Sequence, residues 1–220
     1  GSDTRLLVAD ENVPGGRREL AWHFASRAEC LLCHHQRYGT VNGFAAEQLG
    51  GSESEGQLHE LIQLGLVRER SQPVRKTLAN PQDTSASLAD RARSYLHANC
   101  AHCHHQGGGG ATVFDLYHHL PLKRTKLIDL EPAQGHFGLD DARVVAPGDP
   151  YRSVLLYRMA KQGNGRMPHL GSRKLDPLGL KLMHDWIAAM PLENNAQSAP
   201  PSRSRSVSSA ARTLGLSGRA

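Results

Sequence analysis

Apolar positions along this chain gather into short helical stripes, separated by polar stretches rich in glycine and proline. Over residues 57–64, Leu58, Leu61, Ile62 and Leu64 recur at helical spacing, and Gly65 supplies a C-terminal stop. Ser87, with Asp90 three residues on, has the form of a capping box. Leu88, Ala92, Tyr95 and Leu96 then share one face of a helix that runs into Cys100. Asp149-Pro150 sets a capping carboxylate ahead of a proline at the first helical position, predicting a helix through Ser153–Met159 that Gly163 and Gly165 stop. Asp176-Pro177 repeats the signal for a last helix striped by Leu180, Met183, Ile187 and Met190, with Pro191 after it. No strand-like alternation of any length occurs between the two cysteine pairs or after the second. The expected fold is mostly α.

These elements divide the chain into an N-terminal extension (1–18), a first cysteine-bearing helical segment (19–69), a linker holding Pro73 and Pro81 (70–84), a longer helical domain (85–192) and a tail (193–220). The tail is made of Ser, Pro, Arg and Ala, with almost no large apolar residue before Leu214. It cannot bury enough surface to offset its ordering entropy, so disorder is expected there. The opening Gly1-Ser2 reads as an arbitrary cut, and the chain is expected to be a segment of something longer.

The candidate chemistry lies in C-x-x-C-H, which occurs as Cys30-Leu31-Leu32-Cys33-His34 and as Cys100-Ala101-His102-Cys103-His104. Two thiols three residues apart on a helical turn can add to the two vinyl groups on one edge of a haem. The histidine that follows is then carried under the ring to ligate iron. The two motifs use all four cysteines of the chain. They predict two covalent haem c groups, with His34 and His104 as proximal ligands. Two other readings stay open: zinc held by four cysteines, and local disulfides or redox dithiols. Neither uses the trailing histidines.

A distal ligand for the second haem is expected in Gly165-Arg166-Met167-Pro168-His169, where Met167 sits in a proline-pinned loop. His/Met ligation raises the reduction potential and leaves no open position on iron. The alternative is that Met167 fills a gap in the core. For the first haem, every methionine lies at or beyond position 159, so the candidates are His59 or His23, or Met159 or Met183 reaching back. An open position there keeps a di-haem peroxidase as a rival. His35, His102, His105, His118 and His119 are expected mostly at the surface or beside haem propionates. Gly107 to Gly110 reads as a flexible turn at the porphyrin edge rather than a phosphate loop, since no G-K-[ST] follows.

Composition adds little against this. Of the 220 residues 39% are apolar and 5% aromatic, which is low for an ordinary core and suits a chain filled out by porphyrin, although the polar tail also dilutes the average. The net charge of +5 would be nearly cancelled by propionates at roughly −2 per haem, so no nucleic-acid partner is expected. No stretch approaches the run of about 18 apolar residues that spans a bilayer.

The segments Ser26–His34, Gln48-Leu49 and Arg91–His104 resemble the bacterial di-haem cytochrome c module that often follows the propeller of a quinoprotein sugar dehydrogenase. So do Val145–Pro150, Ser153–Leu156, Arg166-Met167-Pro168 and Asp185-Trp186-Ile187. The resemblance runs from about Glu19 to Met190. It implies a cytochrome c-like helical domain with a smaller N-terminal haem-bearing segment, His104 proximal and Met167 distal, and a periplasmic or otherwise extracytoplasmic location. It also implies electron relay from a PQQ-dependent dehydrogenase, fused or separate, to a respiratory acceptor. The chain itself is expected not to be an enzyme.

Overall fold

The computed structural model describes residues 1–34, 45–50, 56–68 and 76–192. The expected tail, His35 and residues 70–75 of the expected linker lie outside them. The chain opens with an antiparallel hairpin, β1 (Ser2–Ala9) paired with β2 (Arg17–Phe24). Six short helices follow: α1 (Arg27–Cys30), α2 (Gln57–Gln63), α3 (Leu88–Leu96), α4 (Leu122–Thr125), α5 (Val154–Ala160) and α6 (Pro177–Ala188).

This corrects the expectation of a mostly α, cytochrome c-like domain. Helical turns of all kinds hold 32% of the described residues, and a two-stranded sheet stands beside them. The lack of strand alternation between 102 and 153 pointed to helix, but the segment is irregular. Five non-glycine residues there, Ala111, Lys126, Asp129, Phe137 and Asp141, take positive φ, which no helix tolerates. Its backbone groups are satisfied by loop pairings instead, such as Asp129 N–H to Val145 C=O at 2.9 Å and Val144 N–H to Leu130 C=O at 2.7 Å.

The hairpin escaped prediction because β1 does not alternate. Its first half is polar and its second half, Leu6 to Ala9, is continuously apolar. Register places Leu6 opposite Leu20 and Thr4 opposite Trp22, and the strand β2 runs across position 18/19. Ion pairs bind the hairpin to the chain before α6: Arg173 to Asp3 at 3.2 Å and Lys174 to Asp10 at 3.7 Å. His23 bridges β1 and α1, its Nδ1 2.7 Å from Asp3 and its Nε2 2.9 Å from Glu29. Glu29 is in turn half of the capping box of α1, with Ser26 as N-cap.

The core forms where α3 packs on α6. Ala92 and Leu96 of α3 meet Leu182, Met183, Trp186 and Ile187 of α6, and Leu116, Leu127, Val144 and Val145 close the sides. The start signals act as read. Ser87 accepts from the Asp90 N–H, Asp149 from Tyr151 and Arg152, and Asp176 from Leu178 and Gly179. Pro150 opens a 3₁₀ turn that leads into α5, whereas Pro177 opens α6 directly. Tyr95 ties the two main helices by donating to the Asp176 carboxylate at 2.9 Å, and Gly179 lets the phenol ring approach α6. Removing the Trp186 side chain from this crossing would cost about 3–5 kcal/mol.

Candidate functional site

Cys100 and His104 are presented by a change of helix type. After α3 the chain widens into a π-helical turn, His97–Ala101, and then closes on ordinary hydrogen bonds, with His104 N–H to Cys100 C=O at 2.8 Å. Insertions of this kind recur at functional sites because they re-aim a side chain without ending the helix. Cys100 and His104 thereby face one cleft.

That cleft has a cavity volume of about 160 Å³ and is partly open to solvent. Its walls are apolar: Leu96, Leu116, Leu130, Val144, Val154 and Leu155. Met159 from α5 and Met167 from the following loop line it as well. A largely apolar cleft with a few convergent polar groups is the usual form of a small-molecule or cofactor site.

Three contacts set the His104 imidazole. Its ring stacks on Phe114 with centroids 5.2 Å apart and planes 18° from parallel. Gly110 lies against it so closely that a Cβ there would fall 2.6 Å from Nδ1. Nδ1 is 3.2 Å from the Thr112 hydroxyl, which donates to the Phe114 carbonyl. With its proton committed, the hydroxyl accepts from Nδ1–H, and the Nε2 lone pair is left for a ligand role. Burial, reinforced by the positive charges of His102, His169 and Arg158, lowers the His104 pKa to about 4, so the ring is neutral at pH 7. Burial also pushes the Cys100 thiol up to about 12.

The methionine loop is held by arginines that the sequence pattern did not single out. The buried Arg166 guanidinium donates to the carbonyls of Pro168 (3.1 Å), Ser172 and Lys174 (2.8 Å). Arg158 donates to the Gly165 carbonyl at 2.9 Å and lies over the Phe137 ring. Met167 N–H reaches the Arg158 carbonyl at 2.9 Å. The only signal for this clamp was an arginine beside the methionine. Thr112 and Phe114 carried no signal at all, because a turn around four glycines separates them from the motif.

The first motif lies against the second. Leu32 and Cys33 line a second cleft together with Asn99, Cys100, His102, Cys103, His104 and Met167. The Leu32 carbonyl faces Gly109 where no Cβ could stand. Gly108 approaches the Cys103 carbonyl in the same way, so the glycine run is a close-packed junction rather than a loose turn. The donor atoms of Cys33, His102 and Cys103 all lie within 4.8 Å of one another. Burial first, and then the Cys33 thiol, raise the Cys103 pKa to about 12. Cys30 is exposed at the end of α1, and none of the four cysteines is in a disulfide.

Candidates for a distal ligand to His34 are thinned out. Both nitrogens of His23 are taken by carboxylates, and Met183 is fully buried in the core. Met159 belongs to the cleft of the second motif, while His59 is half-buried on α2 and lines neither of the two clefts. Among the other histidines, His118 is buried behind α3 rather than at the surface, with Nε2 3.3 Å from Asp90. His105 and His119 stack on Tyr117, with centroids 5.5 and 5.3 Å from it.

The residues of the second motif fit a covalently held haem. The Cys100 thiol, a neutral imidazole with a free Nε2 and two thioethers meet in one apolar cleft beside Gly110, and Cys103 lines the neighbouring cleft. No helix of the described residues is long and apolar enough to cross a membrane. Compared with protein-family models, with curated proteins and with solved structures, the chain matches none.

Proposed function

We propose that this chain is a c-type haem protein that passes single electrons, with the haem of Cys100, Cys103 and His104 as its better-defined centre. One observation carries the reading: Cys100, His104, Met159 and Met167 line the same apolar cleft. A zinc site would not require that cleft, and a redox dithiol would not require the methionines. Bound there, haem iron would cycle between its ferrous and ferric states.

The chain's own residues have distinct parts in this. Cys100 and Cys103 would hold the group as thioethers, and His104 would offer Nε2 while Thr112 and Phe114 fix its plane. Leu96, Leu116, Leu130, Val144, Val154 and Leu155 would keep water from it. Arg158 and Arg166 hold the loop that brings Met167 to the cleft. Two thioethers in a largely apolar cleft suit outer-sphere transfer. Cys30, Cys33 and His34 supply a second attachment motif, which makes the proposed stoichiometry two haems per chain. The acceptors and donors would be extracytoplasmic redox proteins, including a dehydrogenase that delivers electrons singly.

The test is a haem count on chain produced together with the haem-attachment machinery, by pyridine haemochrome assay after acidic organic extraction. A c-type spectrum retained on the polypeptide, at two haems per chain and falling to one in Cys100→Ser/Cys103→Ser, is expected. A chain that retains no haem under those conditions refutes the proposal.

A further inference from the structure

The junction between the two motifs brings together a set of donors that haem attachment does not use as a set. Cys33 comes from the turn after α1, and His102 with Cys103 from the turn after the π-helical segment. Their ligand atoms lie within 4.8 Å of one another. Tetrahedral zinc, at about 2.3 Å from sulfur and 2.0–2.1 Å from nitrogen, needs its ligands about 3.5–3.8 Å apart. The cluster is thus within about an ångström of a closed coordination shell, a distance that side-chain rotation covers.

We infer that the haem-free chain binds one soft divalent cation, of which zinc is the type, through the Cys33 and Cys103 thiolates and a ring nitrogen of His102. Two thiolates and a neutral imidazole balance the charge of the ion, and the two thiol protons pass to solvent on binding. Thiolate–imidazole sets select zinc-like ions over the hard cations calcium and magnesium. His102 is exposed, so the ion has a path of entry and keeps a fourth position for water. The close approach of the Leu32 carbonyl to Gly109 holds the two segments together before any ion arrives.

This differs from the four-cysteine zinc reading. Cys30 is exposed outside the cluster, and Cys100 faces the apolar cleft. The inference does not depend on the haem proposal, because it concerns the thiol form of the chain. The two are linked by exclusion: a sulfur converted to a thioether no longer provides the thiolate, so the ion and the completed haem attachments compete for Cys33 and Cys103.

The experiment uses the 220-residue chain made without haem attachment, reduced and stripped with chelator, and titrated with zinc and with cobalt as a spectroscopic probe. One ion per chain is expected, with a thiolate-to-cobalt charge-transfer band and proton release. Cys33→Ser, Cys103→Ser and His102→Ala should each weaken binding on the order of 100-fold, while Cys30→Ser should leave it unchanged. As a readout independent of variant folding, zinc should protect Cys33 and Cys103 of the unmodified chain from alkylation and leave Cys30 reactive. Absence of stoichiometric binding, equal loss in Cys30→Ser, or protection that includes Cys30 would each overturn the inference.

Discussion

The carbonyl oxygen of Leu32 faces the Cα of Gly109 across a gap that admits no side chain. This contact joins the two cysteine motifs, which stand 70 residues apart in sequence. Gly109→Ala should therefore push the segments apart. The expected cost is about 1–3 kcal/mol, as for other overpacked contacts, read as a lower denaturation midpoint at unchanged slope. A slower oxidative cross-link between Cys33 and Cys103 should accompany it.

Thr112 sets the basicity of His104 by accepting from Nδ1. Thr112→Val removes the acceptor and should make the imidazole a poorer donor to ferric iron. In haem-loaded protein the reduction potential should rise by on the order of 30–60 mV, where a tenfold one-electron effect is about 59 mV. Thr112→Ser should keep the parent value. Spectroelectrochemical titration reads both, and equal potentials in Thr112→Val and parent would remove Thr112 from this role.

Two methionines line the cleft, and the proposal uses one of them. Met167→Leu should abolish the thioether–iron charge-transfer band of the ferric haem-loaded protein, whereas Met159→Leu should retain it. The reverse pattern would reassign the ligand to α5.

Arg166→Ala should free the methionine loop. The buried guanidinium donates to three carbonyls, and hydrogen bonds from a charged group contribute about 1.5–3 kcal/mol each before the cost of its burial is deducted. A net loss of about 2–4 kcal/mol is expected by chemical denaturation. Hydrogen exchange in Met167–Lys174 should rise more than in α6.

The His23 bridge predicts a bell-shaped pH response of hairpin docking. Hydrogen bonds donated to Glu29 and then to Asp3 raise the His23 pKa, so its contribution is complete below the ordinary value of 6.5 and is lost as pH rises through the raised one. The Ser26 backbone and then His23 lower Glu29 from 4.5 to about 2. Its contribution is complete above 4.5 and is lost as pH falls towards 2. Protection of β1 and β2 amides should be greatest between about pH 4.5 and 6.5. His23→Gln should flatten the alkaline side.

The parts of this structure that were legible in the sequence rest on short-range chemistry. Ser87, Asp149 and Asp176 announce their helices because a cap acts over three residues. The two C-x-x-C-H motifs stand out for the same reason, each being complete within five residues. The hairpin was not, since β1 owes its pairing to β2 and to ion pairs with Arg173 and Lys174 rather than to any alternation of its own. Residues 102–153 were misread because loop pairings leave no period to detect. Met167 could be suspected from its neighbours Gly165 and Pro168. Thr112, Phe114 and Arg158 could not, because their roles exist only once the loops are folded around His104. The contact between Leu32 and Gly109 is the same case: four glycines signal a turn, and only the fold shows what they make room for.

The π-helical turn at His97–Ala101 has a consequence for how this chain tolerates change. A π turn holds one residue more than the α turn it replaces. Deleting His97, Ala98 or Asn99 would remove that extra residue, and the turn would close on α hydrogen bonds with Cys100 still nearly in phase with α3. A second deletion there would have no spare residue to draw on and would swing Cys100 by about 100°, away from its cleft. The extra residue is slack in the chain: this stretch absorbs the loss of one residue and not of two.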